Sequence, residues 1–116
     1  MKDFLQNYWP VLALALWWCY KWWRARRVMA MLPALRQNGA VLVDVRTASE
    51  FAAASAPQTL NIPLQELGSR LCEIPRDKPV VLACASGTRS GMARMVLRKS
   101  GYKQVYNIGT WNNFRQ

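Results

Sequence analysis

At residues 80–90 the sequence reads Val80-Val81-Leu82-Ala83-Cys84-Ala85-Ser86-Gly87-Thr88-Arg89-Ser90. A run of β-forming residues ends at a single cysteine, small residues follow, and an amphipathic helical pattern begins at about Arg89. This order predicts a buried strand, a tight loop and a helix, with the Cys84 thiol at the positive N-terminus of the helix. Main-chain N–H groups in such a loop stabilise an anion. Because the thiolate is the nucleophilic form of cysteine, the stretch predicts a catalytic loop with Cys84 as its nucleophile.

The sequence around this stretch is typical of an α/β domain. Apolar, β-branched runs alternate with short helical patterns and with turn residues such as Gly39 and Pro79. Strands are predicted at residues 40–45, 60–62, 80–83 and 103–108. Helices are predicted at residues 64–71 and after the cysteine loop, and a helix over residues 24–36 is expected to be interrupted at Pro33. Strands that alternate with short helices favour a small, mainly parallel β-sheet flanked by helices, formed here by residues 31–116.

Four blocks of this domain carry a resemblance to a known family. They are Leu42-Val43-Asp44-Val45-Arg46, Glu50-Phe51 with Leu60-Asn61-Ile62-Pro63, Cys84-Ala85-Ser86-Gly87-Thr88-Arg89, and Val105-Tyr106-Asn107-Ile108-Gly109-Thr110-Trp111. In content and order they resemble the rhodanese (thiosulfate:thiol sulfurtransferase) family over roughly residues 34–116. The family usually has Gly-His-Ile-Pro-Gly-Ala where this chain has residues 54–59, and a second glycine where it has Thr110.

The resemblance implies a rhodanese-like fold and a sulfurtransferase activity. Cys84 would take sulfane sulfur from thiosulfate or a persulfide, hold it as a persulfide, and deliver it to a thiol or cyanide acceptor. The family pattern assigns substrate binding to the loop, namely Ala85, Ser86, Gly87, Thr88 and Arg89. It also pairs an acidic residue at position 50 with the loop arginine, so Glu50 is expected to support Arg89. Asp44 and Arg46 are expected either to form a local salt bridge or to contact substrate, and Thr88 and Ser90 to bind the anion or to cap the helix.

Composition limits how Cys84 can be activated. The chain has no histidine, so it contains neither a Cys-His pair nor a His-ligated metal site. Its three cysteines include no CxxC pair, which argues against a zinc or dithiol centre. We therefore expect no metal and no cofactor, and main-chain dipoles and fixed positive charges must lower the pKa of the Cys84 thiol.

The first thirty residues differ from the rest. Residues 4–23 are mostly apolar and would span about 30 Å as a helix, with tryptophan and tyrosine at both ends. Basic residues lie at and just beyond its C-terminal end, at Lys21, Arg24, Arg26 and Arg27. This pattern predicts that residues 1–30 are a transmembrane helix with a basic juxtamembrane segment, and that residues 4–27 contact lipid. By the positive-inside rule the protein would be single-pass in the cell inner membrane, with the domain facing the cytoplasm. A helix lying on the membrane surface and a cleaved signal peptide are the alternatives.

The net charge of +10 suits anionic partners. A small sulfur donor and a thiol acceptor are expected, and a membrane protein partner is possible, but no nucleic-acid-binding motif is present, so no nucleic acid is expected. Two rival functions stay open. One is a non-catalytic rhodanese-like module that relays or binds sulfur for a membrane partner. The other is a phosphatase, which needs a Cys-x5-Arg loop, whereas Cys84 and Arg89 have the shorter Cys-x4-Arg spacing.

Overall fold

Four short strands form the centre of the molecule in the computed structural model, which describes residues 2–115. The main elements are α1 (Lys2–Gln37), β1 (Val41–Asp44), α2 (Ala48–Ala53), β2 (Leu60–Asn61), β3 (Val80–Cys84), α3 (Thr88–Lys99) and β4 (Val105–Thr110). Three short 3-10 helices lie at Leu64–Ser69, Leu71–Glu73 and Trp111–Arg115. The strand order is β2-β1-β3-β4 and every neighbouring pair is parallel, so the predicted α/β fold with a parallel sheet flanked by helices is confirmed.

Both faces of the sheet are covered, which explains why its central strand is apolar throughout. All five residues of β3 are buried. Successive side chains of a strand point to opposite faces, so Val80, Leu82 and Cys84 pack in one core beside α3, and Val81 and Ala83 pack in a second core beside α1. The alternation places the Cys84 side chain on the α3 face of the sheet.

Helix α1 has two halves with different environments. Its second half packs Val28, Leu32 and Leu35 against the sheet, whereas the large apolar side chains of its first half are exposed. The helix continues through Pro33, where an interruption was predicted. Proline removes one hydrogen bond from a helix, and the buried side chains on either side of Pro33 hold the helix in place.

The predicted transmembrane helix is wrong. Although α1 has 36 residues, no helix among residues 2–115 is both long and apolar enough to cross a membrane. Its uninterrupted aliphatic run is confined to residues 11–16, with tryptophan, tyrosine and polar residues on both sides. A span needs about 20 predominantly apolar residues. The predicted location, a single pass through the inner membrane with the domain facing the cytoplasm, is therefore wrong, and the predicted lipid contacts of residues 4–27 have no support.

Two local features of the chain also differ from expectation. The α-helix predicted at residues 64–71 is replaced by two 3-10 helices, Leu64–Ser69 and Leu71–Glu73. In the turn at residues 54–59, Gln58 has a φ of +60°, a conformation that favours glycine. This is a position where the family pattern has glycine, so the chain keeps the turn but carries strain there.

Replacing Leu32 by Ala tests whether α1 is part of the folded domain. Leu32 is 1% exposed, so its truncation should lower the free energy of unfolding by about 3 kcal/mol through lost burial and a cavity. Leu16→Ala in the same helix is the matched control, because Leu16 is 71% exposed and should change stability by less than about 0.5 kcal/mol. Urea denaturation of the full chain measures both. Equal, small effects would show that α1 does not pack on the sheet.

Candidate active site

Cys84 is the last residue of β3 and its side chain is completely buried. The chain then turns through residues 85–87 into α3, which begins at Thr88. Gly87 makes this turn with a φ of +95°, a value that side chains rarely tolerate. A Cβ atom at Gly87 would also lie 3.2 Å from the Cα of Gly109. The tight turn therefore requires glycine, and it brings the loop back over the sulfur.

The Cys84 sulfur is surrounded by neutral hydrogen-bond donors. The Gly87 N–H donates to Sγ over 2.9 Å, and the Ser90 hydroxyl lies 3.4 Å from it. Burial raises the pKa of the Cys84 thiol, but the Ser90 hydroxyl and the main-chain N–H groups of Ser90, Ser86 and Gly87 outweigh burial, so the pKa is lowered overall. The donors around Sγ therefore lower the pKa of the thiol without a histidine.

Asn107 positions the serine and the loop at the same time. Its Oδ1 accepts hydrogen bonds from the Ser90 hydroxyl (2.7 Å) and the Gly109 N–H (2.9 Å), and its Nδ2 donates to the Gly87 carbonyl (3.0 Å). Adjacent residues of β3 pair with Asn107 and Gly109, so β4 has one extra residue there, a bulge with a φ of +90° at Gly109. The Ser90 hydroxyl has one hydrogen, so donation to Asn107 competes with donation to Cys84, and a negative charge on sulfur favours the latter.

Arg89 is engaged by a carboxylate and does not hydrogen-bond to the sulfur. Its NH1 and NH2 groups donate to Oε1 and Oε2 of Glu50 over 2.8 and 3.1 Å. Glu50 lies in the first turn of α2, where it also accepts the N–H of Thr47 in a capping box. Hydrogen bonds from Arg89 and then from Thr47 lower the pKa of Glu50 to about 2. The pair is therefore ionised at neutral pH and ties the first turn of α3 to α2.

Asp44 and Arg46 form a buried salt bridge, with 2.8 Å between Arg46 NH2 and Asp44 Oδ2. Arg46 also donates to the Ala54 carbonyl over 2.7 Å, and its guanidinium lies 4.5 Å from the centre of the Trp111 ring. Asn61 Nδ2 donates to the carbonyls of both Asp44 and Arg46. Neither member of the pair lines the cavity beside the loop. Their contacts join β1 to neighbouring turns, as the local salt bridge among the two expected roles requires.

The outer side of the loop faces a cavity of about 600 Å³. Ala85, Ser86 and Gly87 line it, whereas Thr88 and Arg89 do not. The Ser86 hydroxyl lies 3.4 Å from that of Thr88 on the exposed surface. The structure thus brings three of the five predicted loop residues to one cavity. Among residues 2–115 no three His, Cys, Asp or Glu side chains are grouped to hold a metal ion.

The sequence-based prediction missed part of this site. It assigned no role at the site to Asn107 or Arg94, and it placed Lys21 and Arg24 in a juxtamembrane segment, whereas all four residues line the same cavity. In the sequence, the bulge that orients Asn107 is indicated by Gly109, two residues later. No local pattern points to the three cations, because they reach the loop only when α1 and α3 dock on opposite faces of the sheet.

Comparison with known proteins places this geometry in context. Residues 28–116 match the family model of the rhodanese-like domain. A sulfurtransferase of Allochromatium vinosum is 41% identical over 68 residues, which are 59% of this chain and 64% of that protein. The thiosulfate sulfurtransferase GlpE of Pseudomonas savastanoi pv. phaseolicola is 35% identical over 75 residues, 65% of this chain and 71% of that one. The structure of the human single-domain sulfurtransferase superposes with a TM-score of 0.63 at 29% identity, covering 74% of this chain and 90% of its own.

Replacing Ser90 by Ala should raise the pKa of the Cys84 thiol, because it removes the hydroxyl donor and leaves burial unchanged. The midpoint of the pH profile for alkylation by iodoacetamide should move to higher pH, and the rate at neutral pH should fall several-fold. Ser86→Ala is the control, since only the main chain of Ser86 contributes, and its profile should match the parent protein. The measurement uses a parent lacking the exposed thiols, Cys19→Ser with Cys72→Ser. An unchanged profile in Ser90→Ala would contradict this account of the thiolate.

Proposed function

This chain belongs to the rhodanese-like domain family, and on that premise we propose that it is a sulfurtransferase that works through a persulfide on Cys84. The donor is thiosulfate or a persulfide, and the acceptor is a thiol or cyanide. The observation that carries the proposal is the set of neutral donors around a buried sulfur, with the Gly87 N–H 2.9 Å from Sγ and the Ser90 hydroxyl 3.4 Å from it.

The proposed reaction has two steps. The Cys84 thiolate attacks the outer sulfur of thiosulfate, a new S–S bond forms, and the bond between the two thiosulfate sulfurs breaks, so that sulfite leaves with the electron pair. The persulfide keeps the negative charge, and the loop N–H groups stabilise it as they stabilised the thiolate. An acceptor thiolate then attacks the outer sulfur, and Cys84 leaves as a thiolate ready for the next cycle.

We assign the loop Ala85–Gly87 to binding of the transferred sulfur. Thr88 and Arg89 are part of the same proposed site. Glu50 is a positioning residue, because it holds Arg89 through a salt bridge. Because the Cys84 side chain is completely buried, a donor reaches the sulfur only after a local rearrangement of the residues around it. We also propose a domain boundary near residue 30, with residues 31–116 as the rhodanese-like domain and α1 running through the boundary.

A second candidate function is a sulfur relay for one dedicated partner. The complete burial of the Cys84 sulfur favours it, because a partner that opens the loop would then control access. Such a module would carry a persulfide on Cys84 but would not turn over small donors and acceptors. The phosphatase alternative has less support, since the Cys84-x4-Arg89 spacing is one residue shorter than a phosphatase loop needs.

The full chain exposed to thiosulfate should gain one sulfur atom on Cys84, about 32 Da, and lose it on addition of a thiol acceptor. Intact-mass spectrometry and sulfite release measure the two steps. Cys84→Ser should gain nothing, whereas Cys72→Ser, which removes an exposed thiol, should behave as the parent protein. Full sulfur transfer by Cys84→Ser would overturn the proposed function. Loading without turnover would favour the relay, and hydrolysis of an aryl phosphate without sulfur transfer would favour the phosphatase.

A further inference from the structure

The cavity beside the loop is lined by aromatic and positively charged side chains, which sulfur transfer alone does not require. We propose that it is the acceptor site and that it binds a small thiol with an apolar, ring-sized body and an anionic group, held by Lys21 and Arg24 of α1 and by Arg94 of α3. The inference rests on the proposed function and names the acceptor class for that reaction.

The cavity lies directly against the loop over Cys84. Lys21 Cε is 3.9 Å from the position that a Cβ atom would take at Gly87. The Ala25 methyl group is 3.4 Å from the corresponding position at Gly109. Helix α1 therefore approaches the loop at Gly87 and the bulge at Gly109, and a molecule beside this contact lies next to the loop that covers the sulfur.

The walls of the cavity are apolar and aromatic. Trp18 and Trp22 of α1 and Met95 of α3 line it, and all three residues are more than half exposed. The volume of about 600 Å³ falls within the range of about 300–1,000 Å³ that is usual for small-molecule sites. Thiosulfate has no apolar part that would use such walls, so the cavity suits an acceptor with an organic body better than it suits this donor.

The charge of the cavity has one sign. Lys21, Arg24 and Arg94 line it, no Asp or Glu does, and none of the ion pairs among residues 2–115 involves these three cations. Aromatic rings hold two of them in place, since Lys21 Nζ lies 4.5 Å from the centre of the Trp17 ring and Arg24 donates to the Tyr20 hydroxyl. These contacts orient the cations and leave their charge unneutralised.

Arg94 and Lys21 are partly buried, whereas Arg24 is exposed. The Arg94 guanidinium donates to the Val105 carbonyl over 2.9 Å, which holds this side chain between α3 and β4. Burial, followed by repulsion from Arg98 and Arg24, lowers the pKa of Arg94. Like charges that are brought this close gain from an anion placed between them.

The arrangement gives the second step of the reaction a binding site. The anionic group of the acceptor pairs with the cations, its body packs on the tryptophans, and its thiolate attacks the outer sulfur of the Cys84 persulfide. An S–S bond forms to the acceptor, the S–S bond to Cys84 breaks, and Cys84 leaves with the electron pair. The acceptor departs as a persulfide, and no external oxidant or reductant is needed.

The test compares 4-mercaptophenylacetate with its neutral amide, two thiols of the same size and ring. The full chain is first loaded with sulfur by thiosulfate, and the rate of sulfur transfer to each thiol is then measured in a single turnover. Binding is measured separately by tryptophan fluorescence with the S-methylated forms of the two thiols, which cannot react. We expect the anion to be preferred over the amide roughly tenfold in both measurements, as two or three exposed charge contacts would give.

Two double variants identify the residues responsible. Lys21→Gln with Arg24→Gln should reduce the preference for the anion at least threefold. Arg26→Gln with Arg27→Gln removes the same charge from the same helix, and those two arginines also stack on tryptophans at 5.0 Å, but they do not line the cavity. This control should keep the parent preference.

Three results would overturn the inference. The first is equal treatment of the anion and the amide by the parent protein, and the second is an equal change in both double variants. The third is no measurable binding of either S-methylated compound, which would point to a macromolecular acceptor. Failure of thiosulfate to load Cys84 would instead overturn the proposed function, and the acceptor role with it, whereas normal loading without an anion preference would overturn only this inference.

Discussion

A negative charge on a buried sulfur is the constraint on which the rest of the site depends. Burial of Cys84 favours the neutral thiol, so several donors have to be in place before the pKa of the thiol falls below its ordinary value. The chain has no histidine to share the task. Main-chain N–H groups and the Ser90 hydroxyl supply the donors, and each must stay within hydrogen-bond distance of Sγ. The lower pKa of the Cys84 thiol therefore depends on the geometry of the loop.

The surrounding structure holds that loop from three sides. The backbone of the β4 bulge packs against Gly87, so that a side chain at this glycine would collide with Gly109. Asn107 connects the bulge to the Gly87 carbonyl and to Ser90. The Arg89–Glu50 pair fixes the first turn of α3 on α2. These contacts come from β4, α2 and α3, so the loop is positioned by the assembled sheet and not by its own residues alone.

Helix α1 shows how one composition supports two different structures. Tryptophans beside lysine and arginine are typical of a helix end at a membrane interface, and they are equally suited to a cavity that binds an anion with an apolar body. A membrane interface and such a cavity both favour these side chains, because each offers apolar contact to the tryptophans and negative charge to the lysine and arginines. What separates them is the length of the apolar run and the docking of residues Val28, Leu32 and Leu35 on the sheet.

The sequence alone determined the parallel α/β fold and the place of Cys84 between β3 and α3. A strand that is buried on both faces requires an unbroken apolar run in the sequence, and the tight turn after it requires glycine. These are short-range requirements that each segment records in its own residues. Tertiary structure alone decided the role of Asn107, the 3-10 helices at residues 64–73, and the position of Lys21, Arg24 and Arg94 at one cavity. Each of these depends on which elements meet in space, and a contact between residues seventy positions apart leaves no periodic pattern in either segment.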